Sequence, residues 1–212
     1  EEMKLSIDAM MVKLVTNEKI FNEVTNYLFD LLEKHSLFKA SEYLALKVLN
    51  EGSCTINSDL ANQLETYRAM KKGNIAPDIV FTKSNFTSPS KTLTKLSDVK
   101  SKYTVIVFGA SWCPKCKEEL PDIAKLYSKW KSKGTEVVFI ALEEDKNAFM
   151  NFVKDFPFLC YSDNNKWESK IAKDYYVFST PTMFLIDNKR EIILRPNSVK
   201  QMDAWVDWYL QE

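Results

Sequence analysis

Two cysteines three residues apart carry most of the chemistry in this sequence: Cys113 and Cys116, in Trp112-Cys113-Pro114-Lys115-Cys116-Lys117. The preceding run, Tyr103 to Phe108, is β-branched and aromatic, the pattern of a buried strand. Pro114 opens a helical pattern through Lys131, and proline is tolerated in a first helical turn. A thiol at a helix start faces the positive end of the dipole and unpaired backbone N–H groups. Both favour thiolate, so Cys113 is expected to ionise below the ordinary thiol range, with Lys115 and Lys117 adding little. Residues three apart on a helix hold their Cβ atoms about 5–6 Å apart, close to disulfide geometry. The expected chemistry is attack by an exposed Cys113 on a partner disulfide, followed by displacement by Cys116 tucked behind it. The competing reading is a zinc knuckle. It needs a second ligand pair, yet Cys54 and Cys160 are far apart in sequence and His35 is the only histidine.

The elements that must position this pair alternate between strand and helix beyond Pro77. Glu136 to Leu142 reads as a second buried strand. Lys146–Asp155 and Lys166–Tyr175 read as helices, and Pro121 is expected to kink the helix that holds the cysteines. Thr182–Ile186 and Glu191–Leu194 flank a hairpin turn, Asp187-Asn188-Lys189-Arg190. Val199 to Leu210 reads as a last helix with Trp205, Trp208 and Tyr209 inward. This alternation predicts an α/β sheet. Residues 1 to about 72 carry helical periodicity instead, with Asn17, Ser41 and Ser58 as helix starts and Gly52 and Gly73 as stops. The texture changes at Gly73-Asn74-Ile75-Ala76-Pro77, so a helical region over 1–73 and an α/β domain over 74–212 are expected.

Composition excludes several classes. Hydrophobic residues make up 45% of the 212, enough for a packed core and against a disordered chain. Lys and Arg number 29 against 29 Asp and Glu, so no basic field favours nucleic acid. No apolar run approaches the roughly 18 residues of a membrane span. Glycine-rich phosphate motifs are absent, with only 4 glycines in all. Four cysteines are too few for a disulfide scaffold. The sequence opens at Glu1 without a Met and is read as a trimmed product, any leader or lipid anchor lying outside it.

The Trp112-Cys113-Pro114-Lys115-Cys116 motif after a buried strand, followed by Ser179-Thr180-Pro181-Thr182 before another, resembles the thioredoxin fold. From Ala76 to Gln211 it is most similar to the TlpA/ResA-type thiol–disulfide oxidoreductases of the bacterial envelope, and Ala76-Pro77-Asp78 also looks like that family's entry. Many members place proline just before the second cysteine, where Lys115 stands here. The resemblance implies a central mixed sheet flanked by helices, preceded by an all-α region. It implies a cis-proline at Pro181, and a Thr180 backbone that pairs with substrate beside Cys113. Glu119, three residues after Cys116, matches the family's glutamate on the active-site helix, which would exchange the Cys116 proton; Glu136 is a weaker candidate. Trp112 and Pro114 are expected to shield the disulfide and flank substrate. No cofactor is implied. The implied partners are protein thiol or disulfide clients and an upstream electron donor, in the periplasm or outer envelope, with room for a membrane anchor outside this chain.

The remaining polar residues have ordinary readings. Cys160 reads as a small hydrophobe in a buried strand, Cys54 as an exposed loop thiol or else a partner for Cys160, and Glu143-Glu144-Asp145 as a solvated loop. The aromatics Phe21, Tyr27, Phe29, Phe38 and Tyr43 read as packing residues of the helical region, or as a groove for a partner. Two further functions stand beside a reductase: a scaffold that docks a partner through the helical region, and an oxidase or isomerase.

Overall fold

A computed structural model describes residues 2–35, 37–51, 56–82, 86–87 and 93–210. The chain divides into two compact units, Glu1–Lys71 and Lys72–Glu212.

The first unit is helical among its described residues: α1 (Glu2–Leu14), α2 (Glu18–Lys34), α3 (Phe38–Glu51) and α4 (Ser58–Ala69). Asn17 caps α2, its side chain accepting the Ile20 N–H at 3.1 Å. α4 starts at Ser58, as expected. Asn57 caps it, accepting the Leu60 N–H at 2.9 Å. Ser41, by contrast, does not start a helix. It is buried inside α3, where its hydroxyl donates to Glu33 Oε1 at 2.5 Å and lies 3.1 Å from the Tyr67 hydroxyl. A buried acid on the neighbouring helix gives that hydroxyl a partner no single helix could supply. Phe21, Phe29, Leu44, Val48 and Leu64 form the core of the unit, whereas Tyr27 is exposed. Cys54 lies outside the described residues.

The second unit is a mixed sheet with helical flanks. Its strands are β1 (Phe86–Thr87), β2 (Tyr103–Gly109), β3 (Thr135–Ala141), β4 (Leu159–Tyr161), β5 (Thr182–Asp187) and β6 (Ile192–Leu194), ordered β1-β4-β3-β2-β5-β6. β2, β3 and β4 run parallel, and β1, β5 and β6 pair antiparallel with their neighbours. Val105 to Phe108 of β2 and Val137 to Ile140 of β3 are buried, as strands covered on both faces must be. The helices are α5 (Pro114–Ser132), α6 (Lys146–Val153), α7 (Lys170–Asp174) and α8 (Val199–Tyr209). This is the expected α/β class, with the expected helical region ahead of it.

One register decides where the chemistry can occur. β5 lies antiparallel beside β2 with Thr182 opposite Phe108. The loop entering β5 therefore comes alongside the turn leaving β2, which bears the cysteines.

Two expectations are corrected. The segment 166–175 is not one helix. A 3-10 turn over Lys166–Glu168 gives way to α7, with Ser169 capping it through the Ala172 N–H at 3.3 Å. Lys166 sits at φ 47°, in the left-handed region, so no α-helix passes through it. In α8 the inward residues are Val199, Met202 and Val206, while Trp208 and Tyr209 are exposed. Trp205 is half-buried and meets Tyr103 edge-on, ring centroids 5.2 Å apart.

Candidate active site

β2 ends at Gly109, and α5 starts five residues later at Pro114. Cys113 is the N-cap of α5, with φ −88° and ψ 115°, and its Sγ accepts the Cys116 N–H at 3.1 Å. A cap residue must leave the helical region while its side chain satisfies an unpaired donor, and here the acceptor is sulfur. Pro114 follows in the first turn, where it loses no hydrogen bond. Cys113 and Cys116 are joined in a disulfide with Cα atoms 5.3 Å apart. The glycine beneath is required by contact. A Cβ on Gly109 would stand 2.9 Å from Phe139 Cε2 and 3.2 Å from Cys116 Sγ.

Cys116 is wholly buried behind Cys113, and Cys113, expected to be exposed, is itself nearly covered at 5%. The β5 entry loop is the cause. Because β5 is registered on β2, the Thr180 carbonyl oxygen comes to 3.4 Å from Cys113 Sγ. The Thr180–Pro181 peptide bond is cis. The Thr182 hydroxyl donates to the Ser179 carbonyl at 2.6 Å across the same turn. Pro114 and Lys115 lie on the exposed side of the disulfide.

Trp112 is exposed beside Cys113. Its indole N–H donates to the Leu142 carbonyl at 3.0 Å, and its ring meets that of Trp167 with centroids 5.8 Å apart.

Glu119 lies one turn beyond Cys116 on α5. Its Oε1 is 3.6 Å from Lys115 Nζ, and its Oε2 is buried with no hydrogen-bond partner among the described residues. Burial raises its pKa above the ordinary carboxylate range, partly opposed by the Lys115 charge. Glu136 stands apart from this site. It pairs with Thr104 near the start of β2, accepts the Tyr127 hydroxyl at 2.7 Å and lies 3.5 Å from Lys131 Nζ.

Glu143 corrects the expected solvated loop. It is 3% exposed, and its carboxylate accepts the backbone N–H of Ser111. The pairing of β3 with β2 continues one step past Ala141, where the Leu142 N–H donates to the Gly109 carbonyl at 2.8 Å. That extra step carries the Glu143 side chain onto the turn between β2 and α5. Its neighbours behave otherwise. Glu144 is exposed and 3.5 Å from Lys166 Nζ, and Asp145 caps α6 through the Ala148 N–H at 2.7 Å. The signal that could have found Glu143 is its position directly after an apolar strand parallel to the cysteine strand. Cys160 lies buried in β4, its thiol 3.5 Å from the Phe158 carbonyl.

A dithiol that closes over one helical turn, with a backbone carbonyl against the outer sulfur and a partly buried acid one turn along, can exchange disulfides. Comparison with known proteins agrees. A thioredoxin-like family model matches residues 100–192. The chain is 34% identical over 120 residues to thiol-disulfide oxidoreductase ResA of Bacillus cereus (strain ZK / E33L), covering 56% of this chain and 67% of that one. It is 29% identical over 165 residues to ResA of Bacillus subtilis (strain 168), covering 76% and 84%. For some ResA relatives the matched stretch spans only 57% of their length. A thioredoxin-like protein from Bacteroides caccae superposes on 97% of this chain and 76% of its own, with a TM-score of 0.66 and 16% identity, a likeness of fold. With its paired cysteines and its mixed sheet, the chain belongs to the thioredoxin-like ResA family of thiol–disulfide oxidoreductases.

Proposed function

We propose that the protein reduces disulfides of client proteins in the bacterial cell envelope, with Cys113 as nucleophile and Cys116 as resolving thiol. The observation that carries this is the placement of Cys113 at the helix cap, its sulfur accepting the Cys116 N–H while lying beside the Thr180 carbonyl. In the reduced protein the Cys113 thiolate attacks one sulfur of a client disulfide. That S–S bond breaks, one client sulfur leaves and takes up a proton, and a mixed disulfide forms. Cys116 then gives its proton to the Glu119 carboxylate, and its thiolate attacks the Cys113 sulfur. The second client sulfur leaves and is protonated, and the Cys113–Cys116 disulfide closes. Two electrons and two protons have passed to the client, and an external dithiol donor restores the protein. The helix N-terminus supports thiolate at Cys113, and burial raises the Glu119 pKa toward that of a thiol, which favours proton exchange with Cys116. Thr180 supplies backbone pairing to an extended client with Pro181 shaping the turn, and Trp112 and Pro114 flank the bound segment.

The experiment is insulin disulfide reduction with dithiothreitol as donor, comparing the wild type with Cys113→Ser. The wild type is expected to accelerate precipitation of the insulin B chain and the variant to match the uncatalysed rate. Coincident curves for the two proteins would favour the scaffold reading. Equilibration with glutathione sets the direction. A potential in the range of thioredoxin, about −270 mV, supports a reductant, and one near the strong oxidants, about −120 mV, contradicts it.

A further inference from the structure

The turn after β4 is built at a conformational cost that the dithiol itself does not require. Asn164 and Lys166 both occupy the left-handed region, at φ 57° and 47°. Asparagine adopts that region readily, but lysine does so only where its surroundings hold it. The surroundings are evident. The Ser162 hydroxyl donates to the Ala141 carbonyl at 2.8 Å, and the Asn164 N–H donates back to Ser162 Oγ at 3.1 Å. Asp163 accepts the Asn165 N–H at 3.1 Å and the Ser169 hydroxyl at 2.7 Å. The Lys166 N–H donates to the Glu143 carbonyl at 3.2 Å, tying the turn to the same segment that holds Ser111.

The product of this bracing is the position of one side chain. Trp167 is held against Trp112, 5.8 Å between centroids, yet Trp167 remains 36% exposed and Trp112 42% exposed. The two rings thus form one contiguous, part-exposed aromatic surface rather than a scattered exposed side chain. The Trp112 N–H is already committed to the Leu142 carbonyl, and Lys166 Nζ stands 5.6 Å over its ring. What the pair offers to solvent is indole ring, with the Lys166 ammonium at one face of Trp112. Trp112 is the chain neighbour of Cys113, so the pair stands beside the reactive sulfur, which itself lies 3.4 Å from the Thr180 carbonyl.

We propose that Trp167 is a specificity-determining residue: with Trp112 it forms an aromatic shelf that receives an apolar or aromatic side chain flanking the reactive cysteine of an extended client polypeptide. This rests on the disulfide-exchange reading above and adds a preference among clients. Exposed, rigid aromatics beside a reactive centre are the residues that most often carry recognition.

The test uses the pre-reduced full chain and three disulfides: hydroxyethyl disulfide, a peptide disulfide with tryptophan next to each cysteine, and the same peptide with glycine there. Second-order rate constants are read by quenched flow. The wild type is expected to prefer the tryptophan peptide over the glycine peptide. Trp167→Ala is expected to lose about tenfold on the tryptophan peptide, the scale of one aromatic contact, with hydroxyethyl disulfide unchanged. Trp167→Phe is expected to restore most of the preference. No preference in the wild type, or an equal loss on all three disulfides, overturns the proposal while leaving the exchange reaction standing. Failure of the wild type to reduce any of the three overturns the exchange reading and the shelf together.

Discussion

The carboxylate of Glu143 accepts the backbone N–H of Ser111, two residues ahead of Cys113, and is buried in doing so. The acid at the end of one central strand thus holds the turn that ends the other. Removing it leaves a partly buried N–H without its acceptor, which costs about 1 kcal/mol. Glu143→Ala is expected to lose that much stability in urea unfolding and to slow insulin reduction. Glu143→Gln keeps an acceptor oxygen and is expected to lose clearly less on both measures. Equal losses for the two variants would mean that the hydrogen bond to Ser111 is not what Glu143 contributes.

Gly109 lies directly beneath the disulfide. A methyl there meets Phe139 at 2.9 Å and Cys116 Sγ at 3.2 Å, and the ring is in a packed core. Overpacking of this kind costs about 1–3 kcal/mol. Gly109→Ala is expected to lower the melting temperature and to reduce the fraction of Cys113–Cys116 disulfide at a fixed glutathione ratio. A variant that matches the wild type in both would show that Phe139 and Cys116 move aside freely.

Glu119 gives a pH signature. Burial raises its pKa in the folded chain, which therefore holds the proton more tightly than the unfolded chain does. The stability tied to this proton is fully present below the ordinary carboxylate value of about 4.3 and is lost as pH rises through the raised one. Glu119→Gln removes the ionisation. The variant is expected to match the wild type at the acid end and to exceed it at neutral pH, measured by urea unfolding across that window. A difference that does not change with pH would contradict a raised Glu119 pKa.

Sequence patterning was strongest where packing is symmetric and weakest where one partner decides. β2 and β3 are covered on both faces, so Val105 to Phe108 and Val137 to Leu142 appear as unbroken apolar runs. The cysteine pair was legible for the same reason: the strand before it and Pro114 after it leave room only for a strand-to-helix turn. α8 shows the limit. Helical spacing admits both the stripe Val199, Met202, Val206 and one through Trp205, Trp208 and Tyr209, and only the neighbouring elements choose the first. Glu143 reads as solvated and Ser41 as a helix start because the burial of each depends on a partner outside its own segment, the Ser111 N–H in one case and Glu33 in the other. The break at Lys166 was hidden because Lys gives no local sign of a left-handed backbone.

The most direct test of the account separates the two sulfurs. Reduced Cys116→Ser is mixed with a disulfide-linked peptide, as is reduced Cys113→Ser, and both products are read by intact-mass spectrometry with peptide mapping. Cys116→Ser is expected to hold one peptide per chain in a persistent mixed disulfide at Cys113, because the thiol that would release it is gone. Cys113→Ser is expected to capture little, since its remaining active-site sulfur is wholly buried. Equal trapping by both variants, or persistent capture through Cys116 alone, would contradict the assignment of Cys113 as the attacking sulfur.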